Sequence, residues 1–243
     1  MKIVSAHQST YLPWLGYYHR IAISDVHVVL DHVQFEKNSY TNRNIVYTPN
    51  GPTWLTVPVK TKGKFGNMPI RELEIDNSQK WKKKHWNTIY QCYNHTPYFS
   101  EYKVFFESIF TENWKFLFEL NREVNNYILS ALNIKTKLIY SSDLNLERKK
   151  DELVLDLCQK NDATTYLSGA LGRIYLHEEI FIEKGINIIY QDYNHPWYKQ
   201  YKRINFEPKI AVIDLLFNCG PESIEIILSG NINKKSMDKV YYE

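Results

Sequence analysis

Short apolar runs that end on polar residues recur along the chain and predict buried β-strands. The first run covers residues 1–6 and is followed by the polar pair His7 and Gln8. Helical spacing over 14–23 then leads to a second apolar run at 26–30. A strand, a short helix and a second strand in this order favour parallel pairing with a right-handed crossover. The opening of the chain therefore predicts a βαβ unit.

The same rhythm returns in the second half of the chain. Strands are predicted at 137–142, 164–169 and 186–191, and helices at 150–161, 174–184 and 208–218. Together with the opening unit, these runs predict an α/β fold, a Rossmann-like doubly wound parallel sheet of about five strands.

A mixed insertion is predicted between the second strand and the third. It begins with a β-hairpin, 45–47 and 54–59, around Asn50 and Gly51, a pair that adopts the positive φ angles of a tight turn. A helix at 79–93 and one long helical stretch at 101–132 follow. The predicted organisation is the first half of the core at 1–44, the insertion with its hairpin and helices at 45–133, and the second half of the core with C-terminal helices at 134–243.

Composition narrows the class of protein. Aromatic residues make up 15% of the chain, which is typical either of sites that stack on sugars and bases or of an aromatic-rich core. A net charge of +3 is too small to indicate nucleic-acid binding. The three cysteines lack metal-ligand or CxxC spacing, so no metal site is predicted and they are interpreted as reduced core residues of a cytoplasmic protein. No signal peptide or membrane span is predicted.

Chemically capable residues follow the predicted strands at their carboxyl ends, where ligands bind in open parallel sheets. These loops carry His7 and Gln8, then Asp31, Gln34 and Lys37, then Ser142 and Asp143, then Ser168, Gly169 and Arg173, and finally Asn194 and His195. The sequence therefore predicts that one edge of the sheet collects the functional side chains.

His7 is the first candidate for general acid/base catalysis, since its pKa normally lies near neutrality. Asp31, at the end of the neighbouring strand, is expected to fix the tautomer of His7 and to raise its pKa. The alternative is that His7 only holds the loop by hydrogen bonds. His195, which precedes Pro196, is the second candidate and has the same alternative, whereas His27 is interpreted as a core or sheet-edge residue.

Three cations, Lys37, Arg43 and Arg173, are predicted to converge on a phosphate group, as a nucleotide sugar or ATP would require. Tyr11, Trp14 and Trp197 are candidates for stacking on a base or a sugar, although Trp14 suits the core equally well. No stand-alone catalytic motif is present. The placement of Pro13, Gly16 and Tyr17 is similar to that of the HxGH loop of nucleotidylyltransferases, but the histidines of that loop are missing.

With these residues in view, the chain resembles the WbqC-like family. The matching stretches are His7-Gln8-x-x-Tyr11-Leu12-Pro13-Trp14-x-Gly16-Tyr17, Leu30-Asp31-x-Val33-Gln34-Phe35-x-Lys37 with Asn42-Arg43, Trp54-Leu55-Thr56-Val57-Pro58-Val59, Tyr166-Leu167-Ser168-Gly169, His195-Pro196-x-Tyr198-x-Gln200 and Ile213-Asp214-Leu215-Leu216-Phe217-Asn218-x-Gly220-Pro221. Ser9 departs from the family pattern, which usually has proline there, and a looser loop is expected.

The resemblance implies a bacterial protein of O-antigen or other surface-polysaccharide biosynthesis, with a suggested role as a glycyl transferase. The expected substrate is a dTDP- or UDP-linked amino sugar, and the acyl donor is not specified. ATP with magnesium would be required if the acyl group is activated in this site. Two alternatives stay open: a nucleotidylyltransferase or ATP-dependent ligase, and a non-catalytic protein that binds nucleotide sugars.

Amide formation requires a base and donors for the oxyanion. The predicted catalytic residues are His7, Gln8, Asp31 and His195, with His7 or His195 as the base and with Gln8 or the backbone of Ser168 and Gly169 as the oxyanion donor. The predicted substrate-binding residues are Tyr11, Trp14, Gln34, Lys37, Asn42, Arg43, Ser168, Gly169, Arg173 and Tyr198.

Overall fold

The computed structural model describes residues 1–63, 66, 68–203 and 205–237. Its regular elements are β1 (Ile3–Gln8), α1 (Leu15–Ala22), β2 (Val26–Leu30), β3 (Arg43–Thr48), β4 (Gly51–Thr56), α2 (Trp81–Tyr93), α3 (Phe99–Thr111), α4 (Leu117–Ala131), β5 (Lys137–Tyr140), α5 (Lys150–Lys160), β6 (Thr165–Gly169), α6 (Glu178–Ile182), β7 (Asn187–Gln191), α7 (Ile213–Cys219) and α8 (Ser223–Leu228). Among the described helices, none is long and apolar enough to cross a membrane.

Five of these strands form one parallel sheet in the order β5-β2-β1-β6-β7. The chain starts in the middle at β1, proceeds outward through β2 and β5, and then returns to the other side of β1 with β6 and β7. This order confirms the predicted Rossmann-like sheet. The reversal places a crevice between the carboxyl ends of β1 and β6, where ligands bind in sheets of this type.

Helices cover both faces of the sheet because the strand residues alternate between them. Val4 and Ala6 of β1 share one apolar cluster with Leu157 of α5 and Phe181 of α6. Complete burial of a side chain such as Leu157 contributes about 1.5–3 kcal/mol relative to exposure. The other face lies under α1, and there β1 presents Ile3, Ser5 and His7.

The predicted hairpin is present as β3 and β4, paired antiparallel from Arg43↔Thr56 to Thr48↔Gly51. Gly51 has a φ of 100°, which favours glycine at the turn. The helices of the insertion do not form a core of their own. Their buried residues belong to the cluster that contains α1 and α7, and Tyr18 donates a hydrogen bond to Asn125 Oδ1 at 2.6 Å.

The single helical stretch predicted over 101–132 is wrong, because α3 ends at Thr111 and α4 begins at Leu117. Between them the backbone pairs with an earlier segment. Ile75 N donates to Lys115 O at 2.9 Å, and Leu117 N donates to Leu73 O at 2.9 Å. These contacts are distant in sequence, so helical periodicity does not reveal the break.

The helix predicted over 208–218 also begins later, at Ile213. The preceding backbone serves as a connector instead, since Ala211 N donates to Ile45 O and Val212 N donates to Pro13 O, both at 2.9 Å. This connector ties the hairpin to the loop after β1, and so it forms one wall of the site described next.

Candidate active site

The loop between β1 and α1 is held in one conformation by side-chain contacts from the hairpin. Leu12 has a φ of 45°, a left-handed conformation that is unfavourable for leucine. Asn44 Nδ2 donates to Leu12 O at 2.6 Å, and Ile45 N donates to Asn44 Oδ1 at 2.8 Å. Asn44 therefore joins the start of the hairpin to the turn of the loop.

Ser9 is part of the same fixed loop. Its side chain is buried, and Asn121 Nδ2 donates to Ser9 Oγ at 3.1 Å. Ser9 N lies 3.4 Å from Leu30 O as a backbone donor. The serine thus makes contacts that a proline cannot make.

A pocket of about 320 Å³ opens between this loop, the hairpin and the connector that precedes α7, which contributes Lys209. Its lining consists of His7, Thr10, Trp14, Tyr17, Tyr40, Asn44 and Lys209. Of the predicted site residues, the structure brings His7 and Trp14 to this lining. Trp14 packs edge-on against Tyr193 with ring centres 5.4 Å apart.

His7 is a neutral base in this pocket. Its Nδ1–H donates to Gln8 O at 2.9 Å, which leaves the lone pair on Nε2. Nε2 has no hydrogen-bond partner among the described residues. Burial, as the larger cause, and the nearby positive charge of Arg20 together lower the pKa of His7 to about 4. The expected rise of the His7 pKa is therefore wrong.

Asp31 has a different role from the one predicted, because it is not the partner of His7. Its Oδ1 accepts hydrogen bonds from Ser141 Oγ and Ser142 N, both at 2.9 Å, and its Oδ2 accepts one from Ser142 Oγ at 2.7 Å. The buried carboxylate thus joins the end of β2 to the segment after β5. The tautomer of His7 is fixed by a backbone carbonyl instead.

Arg20 is the main residue that the sequence prediction missed. It lies on the side of α1 that faces the sheet, and its Nε donates to Gln191 Oε1 at 2.9 Å. The guanidinium lies against Gly169 at the end of β6, within the crevice between β1 and β6. Helical spacing offered one signal, since Arg20 follows Gly16 and Tyr17 by about one turn on a buried helix.

A second polar group lies deeper under α1. His27 is completely buried on β2, and its Nδ1 is 2.8 Å from Ser5 Oγ. Its Nε2 is buried without a hydrogen-bond partner among the described residues. Burial lowers the pKa of His27 well below the usual value, so this residue is neutral. The structure places it in the core.

His195 lies outside the pocket lining. Its Nδ1–H donates to Pro196 O at 3.0 Å, and its Nε2 is buried without a described partner. Its ring packs against Phe206 at 5.6 Å between ring centres. Burial lowers its pKa, and Lys209 lowers it further. His195 therefore supports the wall of the site that carries Lys209.

Tyr198 belongs to a buried network on α7 and not to the pocket. Its hydroxyl donates to Asp214 Oδ1 at 2.9 Å, and Gln200 Nε2 donates to the same oxygen at 3.0 Å. Arg203 forms an ion pair with Asp214, with Nη2 2.6 Å from Oδ2. The two family motifs that contain these residues therefore meet in the fold as a structural unit.

The predicted convergence of Lys37, Arg43 and Arg173 on one phosphate is not observed. Arg43 stacks over Trp54 at 4.3 Å from the ring centre and donates to Asn38 O. Arg173 makes a bidentate ion pair with Asp192, with both contacts at 2.8 Å. Lys37 is exposed and is absent from the pocket lining.

The other predicted residues have local structural contacts. Tyr11 is buried, and its hydroxyl lies 3.0 Å from His85 Nδ1. Asn42 donates to Val57 O, and Gln34 Oε1 accepts from Met68 N. Ser168 donates to Gly169 O. Gln8 follows His7 directly in β1, so its side chain lies on the opposite face of the sheet. Gly169 alone among this group contacts a candidate functional side chain, Arg20.

Metal-binding clusters are not found within the described ranges, where no three His, Cys, Asp or Glu side chains come together. Among the described residues, the lining of the His7 pocket also contains no carboxylate. The donors present there therefore do not suit magnesium, which prefers oxygen ligands of that kind.

Comparisons with known proteins agree with the resemblance seen in the sequence. An uncharacterized protein of Mycobacterium tuberculosis is 39% identical over 226 residues, which cover 92% of this chain and 96% of the relative. No solved structure matches the chain significantly. The model of the WbqC-like protein family matches residues 8–226, so the chain belongs to the WbqC-like protein family.

Proposed function

We propose that this protein is an enzyme of surface-polysaccharide biosynthesis that transfers an acyl group, with glycyl as the first candidate, to the amine of a nucleotide-linked amino sugar. The observation that carries the proposal is His7, a neutral histidine with its Nδ1–H tied to a backbone carbonyl and its Nε2 unpartnered among the described residues, in a pocket at the ligand-binding edge of the sheet. The family resemblance supplies the substrate class.

In the proposed step the lone pair of the sugar amine attacks the carbonyl carbon of an activated acyl donor. A C–N bond forms, the proton of the amine passes to His7 Nε2, and the bond from the acyl carbon to the leaving group breaks with its electron pair. The leaving group then takes up the proton. A positioned base of this kind contributes about 10²–10⁴-fold to the rate.

The other lining residues suit this substrate. Trp14 and Tyr40 provide aromatic surface for a sugar or a base. Lys209 is exposed at the pocket, and its ammonium can stabilise the oxyanion of the tetrahedral intermediate. The two aromatic side chains are thus proposed to bind the substrate, and Lys209 to stabilise the intermediate.

Because the described lining residues include no carboxylate, they do not suit ATP with magnesium in this pocket. We therefore propose that the acyl group arrives already activated, as a thioester or an acyl phosphate. No step of the proposed reaction uses ATP.

The experiment combines the purified protein, a UDP- or dTDP-linked amino sugar and a glycyl thioester, and follows the amide product by mass spectrometry. We expect product with the native protein and a 10²–10⁴-fold lower rate, roughly, with His7→Ala. His177→Ala is the matched control, since His177 is an exposed histidine paired with Asp151.

Other outcomes would replace the proposal. Release of pyrophosphate from ATP in the presence of the sugar would indicate a nucleotidylyltransferase or ligase. Tight binding of the nucleotide sugar without turnover for any acyl donor tested would indicate a non-catalytic binding protein, and equal rates for His7→Ala and the native protein would remove His7 from the reaction.

A further inference from the structure

We propose that Arg20 forms an anion-binding site in the crevice between β1 and β6, and that the anion is a phosphate group of the nucleotide-linked sugar. The inference rests on the proposed function for the identity of the ligand. The site itself rests on the contacts of Arg20, which the preceding proposal does not use.

The partners of Arg20 leave its charge uncompensated. Nε donates to the amide oxygen of Gln191 at 2.9 Å, and Nη1 lies 3.5 Å from Ala6 O. Nη2 has no hydrogen-bond partner among the described residues, and Arg20 is only half-buried. A half-buried guanidinium normally lies beside a carboxylate, because removing a charge from water is costly without a counter-ion.

Gln191 is fixed so that it presents only its oxygen to Arg20. Its Nε2 donates to Gly16 O at 2.9 Å and lies 2.7 Å from His19 Nδ1. All of these groups are uncharged at neutral pH, since burial lowers the pKa of His19 to about 4. The amide therefore positions the guanidinium without neutralising it.

Gly169 provides the space that Arg20 occupies. Its φ of −74° and ψ of 164° are open to any residue, so backbone conformation does not require glycine at this position. A Cβ atom there would lie 2.7 Å from Nη2 and 3.2 Å from Cζ of Arg20. Glycine at the end of β6 thus permits the guanidinium to lie at the mouth of the crevice.

The charges around the crevice favour an anion. Lys209 lines the neighbouring pocket, and none of the residues described in that lining carries a carboxylate. The other titratable groups that act on Arg20 are the hydroxyls of Tyr17, Tyr166 and Tyr175, whose pKa values are raised by burial, so they remain neutral. Guanidinium groups bind phosphate through paired N–H donors, which suits the unpartnered Nη2 edge.

The test measures binding of inorganic pyrophosphate, UDP and uridine to the full chain by isothermal titration calorimetry. We expect UDP and pyrophosphate to bind the native protein and uridine to bind much more weakly. Arg20→Gln should weaken UDP and pyrophosphate binding by about ten- to a hundredfold, the usual effect of losing a charge-assisted contact. Arg148→Gln, which removes an exposed charge paired with Glu152 near α5, should change neither affinity.

Gly169→Ala keeps the inference testable if Arg20→Gln does not fold. The added methyl group meets the end of a flexible side chain, so the guanidinium moves while the fold is retained. It should weaken UDP binding in the same direction as Arg20→Gln. UDP binding as tight as in the native protein in the folded variants, or no binding of UDP and pyrophosphate to the native protein, would overturn the inference.

Two outcomes distinguish the phosphate site from the transferase activity. Arg20-dependent UDP binding without acyl transfer would support the phosphate site and contradict the transferase. Acyl transfer that proceeds equally well in Arg20→Gln, with UDP affinity unchanged, would contradict the phosphate site and leave the transferase in place.

Discussion

Arg20 donates its Nε–H to Gln191 Oε1 at 2.9 Å, and a neutral amide thus stands where a carboxylate would cancel the charge of the guanidinium. The positive charge of Arg20 also helps to lower the pKa of His7. A base in the pocket and a cation in the neighbouring crevice are therefore electrostatically coupled. An anion that binds Arg20 should raise the proton affinity of His7 at the moment when a substrate is present.

The first prediction concerns this coupling. Burial and Arg20 hold the pKa of His7 at about 4, and its other neighbours Tyr17 and His27 are neutral. Saturation with pyrophosphate should raise the His7 pKa, and Arg20→Gln should raise it in the free protein, because each change removes positive charge from its surroundings. The pKa is measured from the NMR shifts of the histidine ring protons between pH 4 and 8.

In Arg20→Gln the shift on adding pyrophosphate should be absent. Arg148→Gln serves as the control for a change in net charge and should leave the His7 titration as it is in the native protein. An unchanged His7 pKa in both Arg20→Gln and the pyrophosphate-saturated protein would contradict the coupling.

Buried histidines make the second prediction, a loss of stability in mild acid. His7, His19 and His85 each have a pKa lowered to about 4, with burial as the first cause, whereas an unfolded histidine has a pKa near 6.5. The unfolded chain therefore binds more protons between these values, and stability is lost as pH falls from about 6.5 to about 4. Each histidine contributes on the order of 3 kcal/mol across that range.

Urea unfolding at pH 7.5 and pH 5 measures this effect. We expect a markedly lower free energy of unfolding at pH 5, and a smaller difference in His85→Gln, which removes one of the buried titrating groups. The His177→Ala variant should lose at least as much stability at pH 5 as the native protein, since Asp151 raises the pKa of this exposed histidine and its protonation does not oppose folding. Equal stability of the native protein at both pH values would contradict the prediction.

The parallel sheet and the position of His7 could be predicted from the sequence because both depend on local patterns. Apolar runs of strand length followed by polar residues mark the carboxyl ends of strands, and His7 directly follows such a run. Arg20 could not be found in this way. Its importance comes from the lack of a carboxylate partner among the described residues and from Gly169, which is distant in sequence and adjacent only after β6 pairs with β1.

Asp31 and Tyr198 show the reverse error. Both residue types are chemically capable, and both follow predicted strands. However, Asp31 accepts a hydrogen bond from Ser142, and the hydroxyl of Tyr198 donates one to Asp214. Sequence position indicates which edge of the sheet a residue occupies, but it does not indicate whether its hydrogen bonds are already satisfied within the fold. That distinction required the contacts themselves.

The third prediction concerns the ion pair between Arg203 and Asp214, in which Asp214 is completely buried. Arg203→Met should lower the free energy of unfolding by about 3–5 kcal/mol, because the variant leaves a buried carboxylate without its counter-ion. Arg148→Met, at an exposed pair, should cost no more than about 1 kcal/mol. Chemical denaturation measures both, and similar losses in the two variants would contradict the structural role of the buried pair.

The last prediction concerns Asn44, which holds the loop after β1 in its unusual conformation. Nδ2 donates to Leu12 O at 2.6 Å and lies 3.3 Å from Tyr11 O as a second donor contact, while Leu12 has a φ of 45°. Asn44→Ala leaves these carbonyls without their donor and should cost about 1–3 kcal/mol of stability. Because the same loop carries Thr10 and Trp14 into the pocket, UDP-sugar binding should weaken as well.

Leu12→Gly separates the two effects of that substitution. Glycine adopts a positive φ without strain, so this variant keeps the donor contact of Asn44 to the backbone while it relieves the backbone conformation. It also removes a completely buried side chain and therefore costs stability. It should bind the nucleotide sugar more tightly than Asn44→Ala at equal fractions of folded protein, measured by calorimetry below both unfolding midpoints. Equal affinities for Asn44→Ala and the native protein would show that the hydrogen bonds of Asn44 stabilise the fold without shaping the pocket.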